Sequence, residues 1–295
     1  MILSIIIPSF NTSDLLMKCL ESIIIQPFDH SAIEIILVDN ASSDDSVELV
    51  KRQFPRVKVI ENRQNTGFAQ AVNAGVHEAA GEYLLVLNSD TEFSKNTLGQ
   101  LLDQVHHFRP EIAACRLVNP DGSLQPQGGF LPNLGNICLW MLNLDNLPLI
   151  RNLVKPYQLR YGSFFTHDQA MGWVSGTAML VEKSVALNLQ GFDEHLFMYA
   201  EDIDFCFRAH QKGYTVRYFS KPIIIHRGQG SGSPEKAILG EFNGLIYLFQ
   251  KYYPAWQIPV LKLSLRIGSL LRLFVFGMIG RHELQKIYQK AYHLV

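Results

Sequence analysis

Six side chains of this 295-residue sequence have the chemistry of an acid–base or metal site: Asp39, Asp90, Glu201, Asp202 and Asp204, with His226 downstream. Signatures of other chemistries are missing. There is no G-x-x-x-x-G-K-[ST], no strand-linked G-x-G-x-x-G, no H-E-x-x-H and no G-x-S-x-G. The glycine-rich RGQGSGS (227–233) lacks a matching strand context. The four cysteines (Cys19, Cys115, Cys138, Cys206) are far apart with no C-x-x-C, which argues against a zinc module or disulfide framework and fits a reducing compartment. A carboxylate with a histidine and no thiolate suits Mg²⁺ or Mn²⁺ bridging a substrate's phosphates. Such an ion needs few protein ligands, because diphosphate oxygens and water supply the rest. One aspartate then suffices for the metal–phosphate end, and another carboxylate is free to act as a base.

The elements that must position these groups follow from hydrophobic periodicity. Strand-like runs fall at 3–7, 34–38, 57–60, 83–87 and 112–118, with helix-like stretches around 13–26, 44–53, 68–80 and 95–107. This βαβα alternation predicts a mostly parallel α/β sheet flanked by helices, with ligands beyond the C-terminal strand ends. The polar residues gather at those ends. Pro8, Ser9 and Asn11 follow the first run, Asp39-Asn40-Ala41-Ser42 the second, Asn62 to Gly67 the third, and Asn88-Ser89-Asp90 the fourth. Any one of these loops reads equally well as a turn with a helix cap. Asp39 could cap the helix near residue 44, as could Asn40, Ser42 or Ser43. Four such loops on one rim favour binding.

Residues 119–172 are rich in Pro, Gly, Asn and Leu and read as an insertion or lid. A strand-like AMLVE (178–182) and a helix-like EDIDFCFRAHQKG (201–213) follow, with Gly213 as a helix stop. The N-terminal MILSIIIP reads as a first strand and not a signal peptide. The net charge of −1 gives no indication of nucleic acid. From Lys251 onward there are seven Lys/Arg against one acid, Glu283, leaving 19 basic and 26 acidic residues in the first 250. A basic tail on an acidic body predicts an anionic surface or partner.

The motifs SIIIPSFN, EIILVDNASSDDS, NTGFAQAVNAGV, LLVLNSDTEF, GTAMLVEKSVALNLQGFDEHLFMYAEDIDFCFRAHQKGY and HRGQGS together resemble family-2 inverting glycosyltransferases of the GT-A fold. The nearest branch is the rhamnosyltransferase type of bacterial surface polysaccharide synthesis. The resemblance spans residues 3–232. It implies that Pro8, Ser9, Asn11 and Asp39 hold the base and ribose of a nucleotide sugar, and that Asn65 and Gly67 close over it. Asn88, Ser89 and Asp90 would face the diphosphate, with Asp90 matching the last acid of the family's D-x-D and Asn88 replacing the first. Asp90 and His226 would bind Mg²⁺ or Mn²⁺, Asp202 would be the catalytic base with Glu201 supporting it, and Trp173 and Gly176 would lie at the acceptor.

The implied activity is transfer of a sugar, rhamnose or another hexose, from a nucleotide-diphosphate donor to a hydroxyl of a glycan or lipid-linked acceptor, with inversion, in cell-surface polysaccharide synthesis. Residues 1–232 would form the catalytic domain, 119–172 its variable acceptor-side insertion, and 233–295 a helical, membrane-associating segment. The expected location is cytoplasmic and peripheral at the inner face of the cell membrane. In 258–281, Lys262, Arg266 and Arg272 fall on one helical face and leave a broad apolar side, the pattern of an interfacial helix or of a packed one.

Local alternatives stand beside these roles. Asp204 and Arg208, spaced i, i+4, read as a surface helix pair worth about 0.3–0.5 kcal/mol. His226 could be structural, and Trp173 could be packing. At the level of function the rivals are a nucleotidyltransferase, which PSFNTSD disfavours by lacking a glycine- and basic-rich loop, and a catalytically silent sugar- or lipid-binding relative, which Asn88 suggests and the Glu201–Asp202 pair disfavours.

Overall fold

The first strand, LSIIIPS, is buried at all seven positions, as a central strand with a partner on each edge must be. The computed structural model describes residues 2–27, 29–145, 147, 150, 153–228 and 232–295. Residues 229–231 of HRGQGS lie outside them, as do 146, 148, 149, 151 and 152 of the insertion. The chain divides into two units, Met1–Gln127 with Tyr161–Ser231, and Gly128–Arg160 with Gly232–Val295.

The first unit begins with β1 (Leu3–Ser9), α1 (Ser13–Ile24), β2 (Ile33–Asp39), α2 (Ser46–Gln53), β3 (Lys58–Glu61), α3 (Phe68–Glu78) and β4 (Tyr83–Leu87). It continues through β5 (Thr91–Phe93), α4 (Thr97–Phe108) and β6 (Ile112–Val118). The second unit contributes β7 (Gly128–Gly129) and α5 (Leu134–Met141). Returning to the first unit, the chain forms β8 (Gln169–Ala170), β9 (Trp173–Val174), β10 (Ala178–Glu182), α6 (Lys183–Asn188), α7 (Glu201–Gln211) and β11 (Val216–His226). It ends in the second unit with α8 (Pro234–Tyr252), α9 (Gln257–Met278) and α10 (His282–Leu294).

The main sheet runs β3-β2-β1-β4-β10-β6-β11-β5, with β8 beside β11. The β1 pairings with β2 and β4 are parallel, as the βαβα pattern predicts. β10 lies antiparallel between β4 and β6, so the sheet is mixed though mostly parallel. One sheet face, carrying Ile5, Ile7, Leu85, Leu87, Cys115 and Leu180, packs on α1 and α4 through Leu16, Leu20, Leu98 and Leu101. At about 1.5–3 kcal/mol per buried aliphatic side chain, this core holds the strand ends rigid.

Besides the two-residue β7, β8 and β9, two strands lack a clear sequence signal. Lys221-Pro222 interrupts the apolar pattern of β11, and the strand absorbs the interruption as a register shift between Phe219 and Ile223 in its pairing with β6. The three-residue β5 is too short to show periodicity, yet its pairing sets His226 opposite Thr91.

In the second unit the C-terminal end of α5 meets Arg272, whose Nη1 donates to Met141 O at 2.5 Å and Nη2 to Trp140 O at 3.1 Å. Of the three cations expected on one helical face, Arg272 is thus engaged with α5, Lys262 is half-buried and Arg266 is exposed. The open carbonyls ending α5 attract a cation, and they draw Arg272 inward. No helix among the described residues is long and apolar enough to cross a membrane.

Candidate active site

The register of the sheet aligns the polar loops. Ser9, the last residue of β1, pairs with Asp39, the last of β2. Ser9 Oγ lies 2.9 Å from Thr12 Oγ1, which donates to Ser89 Oγ at 2.9 Å, so a chain of hydroxyls joins the first loop to Asn88-Ser89-Asp90. Pro8 is buried in β1. Asn11 bridges to the second loop: its N–H donates to Ser42 Oγ at 2.9 Å, and its Oδ1 accepts from Ser43 N–H at 2.7 Å.

Asp39 does not cap α2, whose N-cap is Asp45. Its Oδ2 instead accepts the Ser42 N–H at 3.0 Å and closes a tight turn. Its Oδ1 is buried with no hydrogen-bond partner among the described residues. A carboxylate oxygen in that condition costs free energy unless a ligand hydroxyl or amide meets it.

Asn40, which sequence reasoning left among the possible caps, ties the third loop to the second. Its Nδ2 donates to Gly67 O at 3.1 Å, and its Oδ1 accepts from Asn62 Nδ2 at 2.8 Å. Asn65 Oδ1 accepts the Gly67 N–H at 3.0 Å. Gly67 has φ +84°, and a Cβ there would lie 2.4 Å from Phe197 O. The next residue, Phe68, donates its N–H to that same Phe197 O at 2.7 Å. The third loop is thus latched to the loop that precedes α7.

At the fourth loop, Asn88 N–H donates to Thr177 O at 3.0 Å, and Ser89 and Asp90 are buried. Asp90 Oδ1 lies 3.2 Å from His226 Nε2. His226 Nδ1 is 2.6 Å from Gln125 Oε1, while Gln125 Nε2 donates to Asn119 Oδ1. That orientation makes Gln125 Oε1 an acceptor and fixes the Nδ1–H tautomer. In neutral His226 the Nε2 lone pair then faces a carboxylate oxygen, an arrangement that favours a cation between them. Gln125 lies in the aperiodic insertion and carries no sequence signal.

Asp202 is in the first turn of α7, after Tyr199 (φ 74°) and Ala200 (φ 69°), two consecutive non-glycine residues in the left-handed region. Such strain persists only where surrounding structure imposes it. Asp202 is half-buried. Its Oδ2 accepts the Gly176 N–H at 3.1 Å, and its Oδ1 accepts the Ile203 N–H at 2.8 Å. Glu201 is 6% exposed, and its Oε2 has no hydrogen-bond partner among the described residues. Burial, followed by the charge of Asp202, holds the Glu201 carboxyl well above the ordinary range. Burial also pushes Asp202 up to about 6, against the opposing pull of its N–H donors. Burial thus disfavours ionisation of both carboxyls, while the N–H groups of Gly176 and Ile203 favour the charge on Asp202.

Gly176 meets Phe68 as well as Asp202: a Cβ there would lie 3.2 Å from the Phe68 ring. Trp173 is 8% exposed, so most of its ring is packed. The pair Asp204–Arg208 is not a surface feature. Asp204 is fully buried, Arg208 Nε donates to it at 2.7 Å, and Arg208 also bonds the carbonyls of Leu189 and Gly191. The i, i+4 spacing was legible, but the burial was not, because α7 lies under the loop 189–191.

A family model described as Glycosyl transferase family 2 matches residues 4–145, and one described as Glycosyl transferase family group 2 matches residues 158–261. The fold and the polar rim agree with these matches, and the chain is similar to glycosyltransferase family 2 over both segments, with a GT-A-like architecture. Among its relatives, N-acetylglucosaminyl-diphospho-decaprenol L-rhamnosyltransferase of Mycobacterium tuberculosis is 26% identical over 86% of this chain and 87% of its own. TarS of S. aureus, solved in complex with UDP-GlcNAc, superposes with a TM-score of 0.58 at 15% identity over 99% of this chain and 91% of that one. The mannosyltransferase PcManGT from Pyrobaculum calidifontis, solved with GDP-Man and Mn²⁺, gives 0.59 at 15% identity over 99% and 83%. The family moves sugars from nucleotide-sugar donors to glycan or lipid acceptors in polysaccharide synthesis.

Proposed function

We propose that this protein transfers a hexosyl or deoxyhexosyl unit, rhamnose being the first candidate, from a nucleotide-diphosphate sugar to a hydroxyl of a glycan or lipid-linked acceptor, with inversion. The observation that carries the reading is the junction at Asn88, Thr177, Gly176 and Asp202. Asn88 bonds Thr177, the adjacent Gly176 holds Asp202, and so the diphosphate-side loop meets a half-buried carboxylate. Inverting transfer needs a base that removes the acceptor's proton as its oxygen attacks the anomeric carbon opposite the leaving diphosphate. Asp202, ionised at neutral pH with its orientation fixed by two N–H donors, fits that task.

Asp39, Ser9, Asn11, Asn65 and Gly67 would bind the nucleoside, with the open Asp39 Oδ1 accepting from a ribose hydroxyl. Among the described residues no three His, Cys, Asp or Glu side chains converge on a metal position, so the protein would offer two ligands, Asp90 and His226. Bound there, Mg²⁺ or Mn²⁺ would neutralise charge on the departing diphosphate. The rhamnosyl preference and the lipid-linked acceptor rest on the mycobacterial relative's name and on the motif resemblance. The proposed setting is the inner face of the cell membrane.

The test is release of free nucleoside diphosphate from a panel of nucleotide sugars, with the anomeric configuration of the product read by NMR. Acceptor-dependent release with inversion is expected. Binding without turnover across the panel would make the protein a silent relative, and pyrophosphate release from a nucleoside triphosphate and a sugar phosphate would make it a nucleotidyltransferase.

A further inference from the structure

We infer that the outward face of α9 is a docking surface for an anionic lipid bilayer, with the helix lying in the membrane plane. The helix has two apolar sides. One, through Leu261, Leu265 and Gly268, is buried within its own unit. On the other, Leu263, Ile267, Leu270, Phe274 and Met278 are between 46% and 71% exposed. Leu271 and Val275 widen this ridge to an arc of about 140° at 100° per residue. A second copy packed as a coiled coil would cover the narrower a/d seam, whereas a bilayer covers the whole arc.

The charges and aromatics of the segment favour lipid. Arg266 is exposed at the edge of the ridge with half-buried Lys262 beside it, and Lys/Arg outnumber acids seven to one from Lys251 onward. Trp256, 64% exposed, immediately precedes the helix. A basic flank, an aliphatic ridge and a terminal tryptophan make an interfacial helix, and no described helix is suited to span. The inference uses no residue of the sugar-transfer site.

Flotation of the full chain with vesicles of phosphatidylcholine, with and without phosphatidylglycerol, tests it. The protein should float with the anionic vesicles and lose flotation as phosphatidylglycerol is removed or salt is raised. Ile267→Glu with Phe274→Glu should abolish flotation, and Lys262→Glu with Arg266→Glu should reduce it, both at unchanged circular dichroism. Brominated lipid should quench Trp256, since Trp140 and Trp173 are 6% and 8% exposed. Absence of flotation overturns the inference, as does flotation unaffected by the two glutamates. A concentration-dependent dimer that does not float would assign the face to a second copy. Nucleoside diphosphate release to a water-soluble acceptor, unmoved by these variants, reports on sugar transfer separately.

Discussion

The backbone N–H of Gly176 and the Oδ2 of Asp202, 26 residues apart, form a 3.1 Å hydrogen bond that fixes the carboxylate at the mouth of the sheet. Ile203 N–H holds the other oxygen, so each oxygen of the proposed base has one donor and keeps a lone pair for an acceptor hydroxyl. Asp202→Asn preserves size while removing basicity. It should lower kcat by about 10²–10⁴-fold, with donor affinity by calorimetry nearly unchanged. Near wild-type turnover would move the base to another residue.

The Glu201–Asp202 pair predicts a pH signature. Only ionised Asp202 accepts a proton, so kcat/KM should fall as pH drops through about 6, a value belonging to the coupled pair. Glu201 contributes oppositely to stability. Its folded pKa is raised, so its stabilisation is complete below the unfolded value and is lost as pH rises through the folded one. Glu201→Gln should therefore raise Tm over wild type in alkaline buffer, with the gap closing below about pH 4.5. Equal melting curves at every pH would remove the buried proton.

Gln125 orients His226 from behind. Gln125→Ala should weaken Mn²⁺ affinity by about 10–100-fold, read as the metal concentration required for tight donor binding in calorimetry. Asp90→Ala should remove most of the metal's effect on donor affinity. Donor binding and turnover undiminished in excess EDTA would exclude an essential ion.

Arg208→Ala would leave the fully buried Asp204 carboxylate without its 2.7 Å guanidinium partner and free the carbonyls of Leu189 and Gly191. The expected cost is about 3–5 kcal/mol by urea unfolding. A loss near 0.5 kcal/mol would return the pair to the surface category suggested by its spacing alone.

The contrast at Asp204 marks the limit of sequence reading here. Apolar runs and polar breaks reveal β1, β2 and β4 with their loops, because an apolar run that breaks at Ser, Asp or Asn is a local pattern. AMLVE corresponds to β10, and the acidic start of α7 falls at Glu201. What stayed hidden depends on distant partners. Arg272 is drawn by carbonyls 131 and 132 residues away, and Gln125 acts through a histidine 101 residues on. β11 carries a Lys-Pro break that only its pairing with β6 absorbs. Spacing reports which face a residue shares with its neighbours in sequence, and it carries no information about what covers that face.

The Phe68–Phe197 hydrogen bond has a consequence for engineering. It ties the loop proposed to close over the nucleotide to the strained turn that presents Asp202, so the two segments form one mechanical part. Gly67 enforces the tie, because any side chain there would collide with the Phe197 carbonyl. Grafting residues 62–68 from a relative, to change the donor, should misalign the base and depress turnover even when the new donor binds. Transplanting 62–68 together with 192–202 should restore it. With the proposed roles, donor choice and catalytic competence would be inherited as a linked pair of loops.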